Sequence, residues 1–257
     1  MTKCIFLAAG SGSRLRPYTN DIPKCLIPFR ARPLLSHLLD LARSCGLHDI
    51  IIVRGFLGDR INFPNVKYVD NPDGYNMLYS LFCADHELKG EVIVSYTDIL
   101  YESAVMKKLL VSTSDISVVV DLAWEEYYSA RTRDPLSIAE SLVMSNGRIL
   151  KIGMPPMSSR DVQGQYIGLM KFSANGVEQL KKCYWKNRRM FWGQPWQQAP
   201  KFELAYMTDI LQALIENGIE VNTVPIEHGW LEFDTVSDYE KALHWDKEGS
   251  LSRFIKI

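Results

Sequence analysis

The sequence has no apolar run that approaches the length of a membrane span. Its longest such runs, Ile50–Val53 and Ile116–Val120, are far shorter than the roughly 20 residues that a spanning helix needs. The opening segment MTKCIFLAAG lacks a longer apolar core with a small-residue cleavage site, so it is interpreted as a buried strand and not as a signal peptide. We therefore expect no membrane partner.

An excess of charge of one sign is also lacking, and cysteine is scarce. With 29 basic and 30 acidic residues the formal net charge is −1, so no basic field would draw the chain to nucleic acid. The five cysteines are odd in number and show no C-x-x-C spacing, which argues against a disulfide framework and a cysteine–histidine zinc site. Reduced thiols are typical of a cytoplasmic protein, and that location is predicted.

Apolar strands alternate with helical patterns along the first half of the chain. Strands are predicted at Lys3–Ala9, Asp49–Arg54, Val66–Val69, Glu91–Tyr96 and Ile116–Asp121. Helices are predicted at Pro33–Cys45, Met77–Glu87 and Ala104–Val111. Strands that are apolar on both faces indicate a mostly parallel sheet, with helices covering both sides.

The second half of the chain is more mixed. Asn146-Gly147 indicates a hairpin, and strands are predicted at Gln165–Phe172 and Glu220–Ile226. Helices are predicted at Gly176–Cys183, Glu203–Asn217 and Val236–His244. Since no Pro/Gly/Ser-rich linker divides the chain, one domain over 1–257 is predicted. Its nucleotide-binding half covers about 1–115 and its acceptor-binding half about 116–257.

A long connection rich in glycine, serine, arginine and proline, Leu7–Phe29, follows the first strand. Loops of this length are usually functional or disordered. The dinucleotide fingerprint fails because Leu15 occupies the third glycine position, and no P-loop motif is present. Backbone N–H groups of the glycine turn, with the cations Arg14 and Lys24, suit a triphosphate. A surface loop with incidental basic residues is the alternative.

The full pattern is more specific than its parts. LAAGxGxRLxPxTxxxPKxL, read from Leu7 to Leu26, resembles the signature of the nucleotidyltransferase family that includes sugar-phosphate nucleotidyltransferases and cholinephosphate cytidylyltransferases. The resemblance implies a Rossmann-like three-layer α/β/α fold with a mixed, mostly parallel sheet, the nucleotide-diphospho-sugar transferase fold. It also implies that Arg14 contacts the triphosphate and Lys24 the α-phosphate, with catalytic roles for both and for Asp98. The predicted nucleotide-binding residues are Leu7, Ala8, Ala9, Gly10, Ser11, Gly12, Asn76 and Ser80.

Carboxylates that could hold Mg²⁺ follow two predicted strands. Asp98 comes after the buried strand EVIVSY, where α/β sheets bind ligands. Strand alternation places Glu232 and Asp234 on one face, and the family resemblance implies a metal site there. Asp98, Glu232 and Asp234 are the predicted Mg²⁺ ligands. A turn role for Asp98 and a helix-capping role for Asp234 are the alternatives.

The segment Asn71–Leu81 resembles the N-x-x-[YF]-S-L stretch of the cytidylyltransferase branch. Asn76 and Ser80 are one helical turn apart and could both face a pyrimidine edge, which favours CTP. The alternative makes Asn76 a helix cap and Ser80 a neutral surface residue.

The acceptor half looks closest to cytidylyltransferases acting on small phosphonates or phosphates, such as 2-aminoethylphosphonate or phosphocholine. Aromatic side chains could form a wall for an aminium group, although core packing is the more common role. The family's E-K-P motif is replaced around Lys151–Pro156, which weakens a sugar acceptor. The predicted acceptor-binding residues are Arg131, Trp124, Tyr166, Gly168, Glu203 and Trp230.

These observations together predict a Mg²⁺-dependent cytidylyltransferase that transfers CMP from CTP to a small phosphonate or phosphate and releases pyrophosphate. A sugar-1-phosphate nucleotidyltransferase and a catalytically silent nucleotide-binding regulatory homologue are the alternatives. Decoration of cell-surface polysaccharide or lipid would need such a step. The segment Tyr184–Phe202 is interpreted as a lid or a homodimer contact, in preference to a surface that stacks single-stranded nucleic acid.

Overall fold

The computed structural model describes residues 2–257. Its strands are β1 (Lys3–Ala8), β2 (Pro28–Phe29), β3 (Arg32–Pro33), β4 (Asp49–Arg54), β5 (Lys67–Asp70), β6 (Val92–Tyr96), β7 (Ile99–Tyr101), β8 (Ile116–Asp121), β9 (Leu142–Ser145), β10 (Arg148–Ile152), β11 (Gln165–Phe172), β12 (Asn222–Ile226) and β13 (Trp230–Glu232). Its α-helices are α1 (Leu34–Ser44), α2 (Met77–Cys83), α3 (Ser103–Leu110), α4 (Trp124–Arg131), α5 (Ala174–Phe191), α6 (Met207–Glu216) and α7 (Val236–Lys247).

The main sheet has nine strands in the order β5-β4-β1-β6-β11-β8-β12-β10-β9. The pairs β5–β4, β4–β1, β1–β6 and β8–β12 are parallel. The strand β11 runs antiparallel to both β6 and β8, and β10 runs antiparallel to β12 and β9. All strands of this sheet except β11 and β10 therefore point the same way, and the predicted mixed, mostly parallel α/β sheet is confirmed.

Alternate residues of the central strands supply two separate hydrophobic cores, one on each face of the sheet. In β1, Cys4 and Phe6 belong to one core, and Ile5 and Leu7 belong to the other. All four are at most 7% exposed, because a strand covered by helices on both sides buries both of its faces. This burial explains the continuous apolar composition of the strand and the three-layer architecture.

Several helix boundaries differ from those predicted. The helix α5 continues from Ala174 to Phe191, well beyond Cys183, and α4 was not among the predicted helices. The helix α6 begins only at Met207. The Asp209 carboxylate accepts a hydrogen bond from the backbone N–H of Tyr206 at 2.7 Å, and this bond caps the first turn of the helix. None of the helices in this described part of the chain is both long and apolar enough to cross a bilayer.

Candidate active site

An open cleft lies at the carboxyl ends of β1 and β6, the edge at which α/β sheets bind ligands. The residues that line it are Leu7, Ala8, Ala9, Gly10, Lys24, Cys25, Tyr75, Asn76, Met77, Ser80, Tyr96, Thr97 and Asp98. Most of the predicted nucleotide-binding residues thus share one cavity, whereas Ser11 and Gly12 are outside this lining.

The backbone at Gly10 is left open on the cleft side. A Cβ atom added at Gly10 would meet no protein atom within 4 Å, so the glycine is not required by packing within the protein. Farther along the loop, the Thr19 hydroxyl donates to the Gly12 carbonyl at 2.7 Å and holds the turn closed. A glycine with free space beside it allows the backbone to approach a ligand closely.

Lys24 is the centre of a charged cluster at the floor of the cleft. Its Nζ atom lies 2.6 Å from Asp98 Oδ2 and 3.1 Å from Asp234 Oδ1. Arg14 Nη2 lies 2.7 Å from the same oxygen of Asp234, and the Arg14 side chain is 70% exposed. The cluster therefore combines one enclosed cation with one cation that reaches into solvent.

A small second sheet brings the two aspartates together. The strands β7 and β13 pair antiparallel, with Glu232 opposite Ile99, and the Phe233 N–H donates to the Asp98 carbonyl at 2.8 Å. This ladder places the chain after β6 directly beside the chain after β13. It explains how carboxylates so distant in sequence reach the same lysine.

The surroundings of Lys24 favour its charged form. Burial by itself lowers the pKa of the Lys24 ammonium, but the carboxylates of Asp98 and Asp234 more than offset this effect, and the net pKa is raised. A lysine whose pKa is raised stays protonated at neutral pH, so Lys24 acts here as a fixed positive charge and not as a base.

The predicted three-carboxylate metal site is not formed as expected. Within residues 2–257 no group of three or more histidine, cysteine, aspartate or glutamate side chains has an arrangement that could hold a metal ion. Glu232 pairs instead with Arg131 Nη1, so its inclusion in the metal set is corrected. Asp98 and Asp234 remain together at the cleft, and two carboxylates are what Mg²⁺ commonly takes from a protein. This pair fits a hard divalent cation that completes its coordination with substrate oxygens and water.

Arg131 was predicted to hold the acceptor phosphate, and this prediction is wrong. The residue is 7% exposed. Its Nε and Nη2 atoms donate to the two carboxylate oxygens of Asp238 at 2.9 and 3.1 Å, while Nη1 donates to Glu232. Its guanidinium also lies over the ring of Tyr128 at 4.9 Å. Arg131 therefore joins α4 to β13 and to the start of α7, and each of its three guanidinium nitrogens donates to a carboxylate of the protein.

Three further predicted acceptor residues are parts of the core. Trp124 and Trp230 are 5% and 1% exposed, and the Trp230 indole donates to Asp121 at 2.8 Å. Glu203 is 7% exposed and accepts from the Gly193 N–H at 2.9 Å. These side chains are engaged in packing and internal hydrogen bonds, so their placement at the acceptor is corrected. The sequence alone does not show whether such tryptophan and glutamate side chains pack inside the protein or contact a ligand.

Tyr166 and Gly168 are not among the residues that line the cleft, but both lie next to Tyr96, which is. The ring of Tyr166 packs edge-on against the ring of Tyr96, a cleft residue, with 5.7 Å between centroids. Gly168 has a φ of +87°, and a Cβ atom there would lie 2.4 Å from Tyr96 Cδ2. The glycine therefore leaves room for the Tyr96 ring. Tyr96 was missed at the sequence level because it reads as the last residue of an apolar strand.

Asn76 and Ser80 both face the cleft at the start of α2. The Asn76 amide donates to the Leu204 carbonyl at 2.9 Å, and the Ser80 hydroxyl accepts from the Asn71 amide at 2.8 Å. Asn71 is 3% exposed and also accepts from the Gly74 N–H at 3.1 Å, which fixes the loop ahead of the helix. Asn76 is thus the residue that precedes the helix, as the alternative reading had it, while it also lines the cavity.

Comparisons with known proteins identify the family of this chain. The family model described as a MobA-like NTP transferase domain matches residues 4–149. The CTP:phosphoglutamine cytidylyltransferase of Campylobacter jejuni is 34% identical over 254 residues, which cover 92% of this chain and 97% of that protein. Both matches cover much more of the chain than the glycine-rich motif between Leu7 and Leu26.

Two solved structures share the fold. The CTP:phosphocholine cytidylyltransferase of Streptococcus pneumoniae has a TM-score of 0.69 at 22% identity, covering 95% of this chain and 98% of that one. The inositol-1-phosphate CTP transferase of T. maritima has a TM-score of 0.72 at 19% identity, covering 99% and 98%. The predicted relationship to nucleotidyltransferases, with phosphate-type CTP cytidylyltransferases among the similar proteins, is confirmed. The chain is a nucleotidyltransferase and belongs to the MobA-like NTP transferase family.

Proposed function

We propose that this enzyme is a Mg²⁺-dependent cytidylyltransferase that transfers CMP from CTP to a small phosphate- or phosphonate-bearing acceptor. The observation that carries the proposal is the cluster of Lys24, Asp98 and Asp234 at the floor of a cleft lined by Ala8–Gly10 and Ser80. Similar proteins are a CTP:phosphoglutamine cytidylyltransferase and a choline-phosphate cytidylyltransferase, which supports CTP as donor and a phosphate group on the acceptor.

In the proposed reaction an anionic oxygen of the acceptor attacks the α-phosphorus of CTP. A new P–O bond forms, the bond between the α-phosphorus and its bridging oxygen breaks, and pyrophosphate leaves with that electron pair. A phosphate or phosphonate oxygen is already ionised at neutral pH, so no general base is needed. Catalysis then depends on positioning and on neutralising the charge that develops at the α-phosphate.

The residues of the cleft divide this task. Lys24, kept protonated by its two carboxylates, would place a point charge at the α-phosphate. Arg14, with 70% of its side chain exposed, would reach the outer phosphates, where its planar fork matches two oxygens. Asp98 and Asp234 would hold Mg²⁺, which when bound neutralises charge on the triphosphate. The open backbone at Gly10 would let the ribose approach.

The acceptor is proposed to bind on the opposite side of the cleft, next to Tyr96 and Tyr166. A phosphonate acceptor is kept within the proposal because a CMP-5'-(3-aminopropyl)phosphonate synthase of Streptomyces rubellomurinus is 32% identical over 117 residues. That match covers 42% of this chain and 19% of the other protein.

The test is pyrophosphate release with Mg²⁺, crossing five nucleoside triphosphates with phosphocholine, 2-aminoethylphosphonate, phosphoglutamine and glucose 1-phosphate. Release with CTP and a small phosphate or phosphonate, strongly reduced in Asp98→Asn at low Mg²⁺ concentration, is the expected result. Release only with glucose 1-phosphate would show a sugar nucleotidyltransferase instead. Binding of CTP without turnover of any acceptor would favour the regulatory alternative.

A further inference from the structure

Tyr18 was not among the predicted site residues, yet it connects the loop that carries Arg14 to the helix α7. The Tyr18 hydroxyl donates to Glu240 Oε1 on α7 at 3.0 Å. Its ring packs edge-on against the ring of Tyr239, the preceding residue of that helix, with 4.8 Å between centroids. Tyr18 is 39% exposed, so these two contacts, and not enclosure in the core, hold its side chain in place.

The surface on which Tyr18 packs is itself firmly anchored. Tyr239 is 4% exposed, and its hydroxyl donates to the Pro28 carbonyl at 2.6 Å. Its ring also lies 6.3 Å from the ring of Phe233, the residue that directly precedes Asp234. Tyr18 therefore rests on the part of the chain that carries the Asp234 carboxylate.

The segments that carry Arg14 and Tyr18 are tied to each other by one carbonyl group. The Gly12 carbonyl accepts from the Leu15 N–H at 2.9 Å and from the Thr19 hydroxyl at 2.7 Å. Leu15 and Thr19 are both 0% exposed, so the exposed stretch 16–18 is held at both of its ends. Fixing Tyr18 on α7 thus fixes the position from which Arg14 extends.

The loop has a second link to the same region, the ion pair of Arg14 with Asp234 at 2.7 Å. That pair has to open if Arg14 binds phosphate oxygens and Asp234 binds a cation, as proposed above. The contacts of Tyr18 with Glu240 and Tyr239 do not have this conflict, because none of the three residues lines the cleft. They can hold the loop on α7 while Arg14 exchanges its partner.

We propose that Tyr18 is a positioning residue for the nucleotide, which holds the loop on α7 so that Arg14 reaches the outer phosphates. An edge-on aromatic pair and a hydrogen bond to a carboxylate are both directional contacts, and small displacements of a positioned group are costly for catalysis. This inference rests on the proposed role of Arg14 and extends it to a residue outside the cleft.

The test compares the binding of CTP with that of CMP, which lacks the outer phosphates. Calorimetry with Mg²⁺ measures both nucleotides for the native enzyme, Tyr18→Ala, Tyr18→Phe, Glu240→Ala and the double variant Tyr18→Phe/Glu240→Ala. Tyr18→Ala is also measured in an Arg14→Met background, and KM values for CTP and acceptor are determined wherever there is turnover.

The chain offers a matched control for each partner. Tyr68→Phe removes a hydroxyl that donates to the Phe63 carbonyl at 3.1 Å on the edge strand β5. Glu248→Ala removes an exposed carboxylate that lies 3.2 Å from His244 at the other end of α7. Both control variants are expected to bind CTP and CMP as the native enzyme does.

Tyr18→Ala is expected to weaken CTP binding by about 10-fold to 100-fold, with CMP binding and the KM of the acceptor unchanged. Tyr18→Phe and Glu240→Ala should each weaken CTP binding by about 3-fold. The double variant should be no weaker than either, since both changes remove the same hydrogen bond. In the Arg14→Met background, Tyr18→Ala should cause no further loss.

Equal weakening of CMP and CTP would show a structural role alone and overturns the proposal. Unchanged CTP binding in Tyr18→Ala, a full further loss in the Arg14→Met background, or a native enzyme that binds CTP no more tightly than CMP overturns it as well. If Tyr18→Ala does not fold, Tyr18→Phe and Glu240→Ala decide, since both keep the Tyr18 ring. Absence of pyrophosphate release with every acceptor counts against the proposed function alone, because the binding comparison needs no turnover.

Discussion

Lys24 and Asp98 form a direct ion pair, with 2.6 Å between Nζ and Oδ2, and both side chains are mostly shielded from solvent. Asp234 approaches the same ammonium from the segment that follows β13. The lysine is therefore oriented by two carboxylates before any substrate enters. A charged group held in place beforehand needs little reorganisation when a charge develops beside it, which is the basis of electrostatic preorganisation.

Replacement of Lys24 by methionine is expected to lower kcat by about 100-fold to 1,000-fold, because the charge opposite the α-phosphate is lost. Lys24→Arg should recover only part of the rate, since a planar fork does not reproduce a compact ammonium between two carboxylates. Initial rates of pyrophosphate release measure both variants. Lys67→Met, at an exposed pair with Asp49, is the control. Full activity of Lys24→Met would contradict the assigned role.

Removal of divalent metal is expected to abolish activity, and added Mg²⁺ should restore it. In Asp98→Asn and Asp234→Asn the metal concentration needed for half-maximal rate should rise by about 10-fold or more, since each variant loses one charged oxygen ligand. Chelation followed by Mg²⁺ titration measures this. Glu232→Gln should leave the metal requirement nearly unchanged, because Glu232 pairs with Arg131. A stronger effect at Glu232 than at Asp98 would restore the three-carboxylate hypothesis.

Arg131→Met is expected to destabilise the fold by about 3 to 5 kcal/mol, because it leaves the buried carboxylate of Asp238 and that of Glu232 without their cation. The exposed pair of Arg148 and Glu220, with side chains 55% and 56% exposed, provides the comparison. Arg148→Met should change stability by less than about 1 kcal/mol. Denaturant unfolding of both variants measures the difference, and equal effects would show that the buried network contributes little.

Two glycine substitutions separate ligand contact from protein packing. Gly10→Ala should leave the melting temperature unchanged and raise KM for CTP by about 10-fold, since the added methyl group faces only the cleft. Gly168→Ala should lower the melting temperature, because its φ is +87° and its Cβ would collide with the Tyr96 ring. Thermal unfolding and CTP kinetics are measured for both. A destabilised Gly10→Ala would show that this glycine has a packing role.

The sequence was sufficient where a local pattern determines the structure. The apolar run at Lys3–Ala8, the loop with Arg14 and Lys24, and Asp98 at the end of β6 are all readable from periodicity and motif spacing. The direction of β11 was not readable, since an apolar strand between β6 and β8 has the same composition whichever way it runs. Helix ends were missed where a side chain such as Asp209 caps the helix.

The acceptor half was harder to predict than the nucleotide half. Arg131 has the residue type expected of a phosphate ligand, but only the fold reveals that Asp238 and Glu232 engage all three of its guanidinium nitrogens. Trp124 and Trp230 read as an aromatic wall, although burial places them in the core.

The lysine of the cleft has partners 74 and 210 residues away along the chain. During synthesis Lys24 emerges early, but Asp234 follows only after most of the polypeptide has been made. Arg14 and Lys24 can therefore pair with Asp234 only after β13 has paired with β7. A chain that stops short of Asp234 would keep the complete nucleotide signature, yet it could not lock the lysine in place. The complete charged cluster therefore exists only when both ends of the chain have folded together.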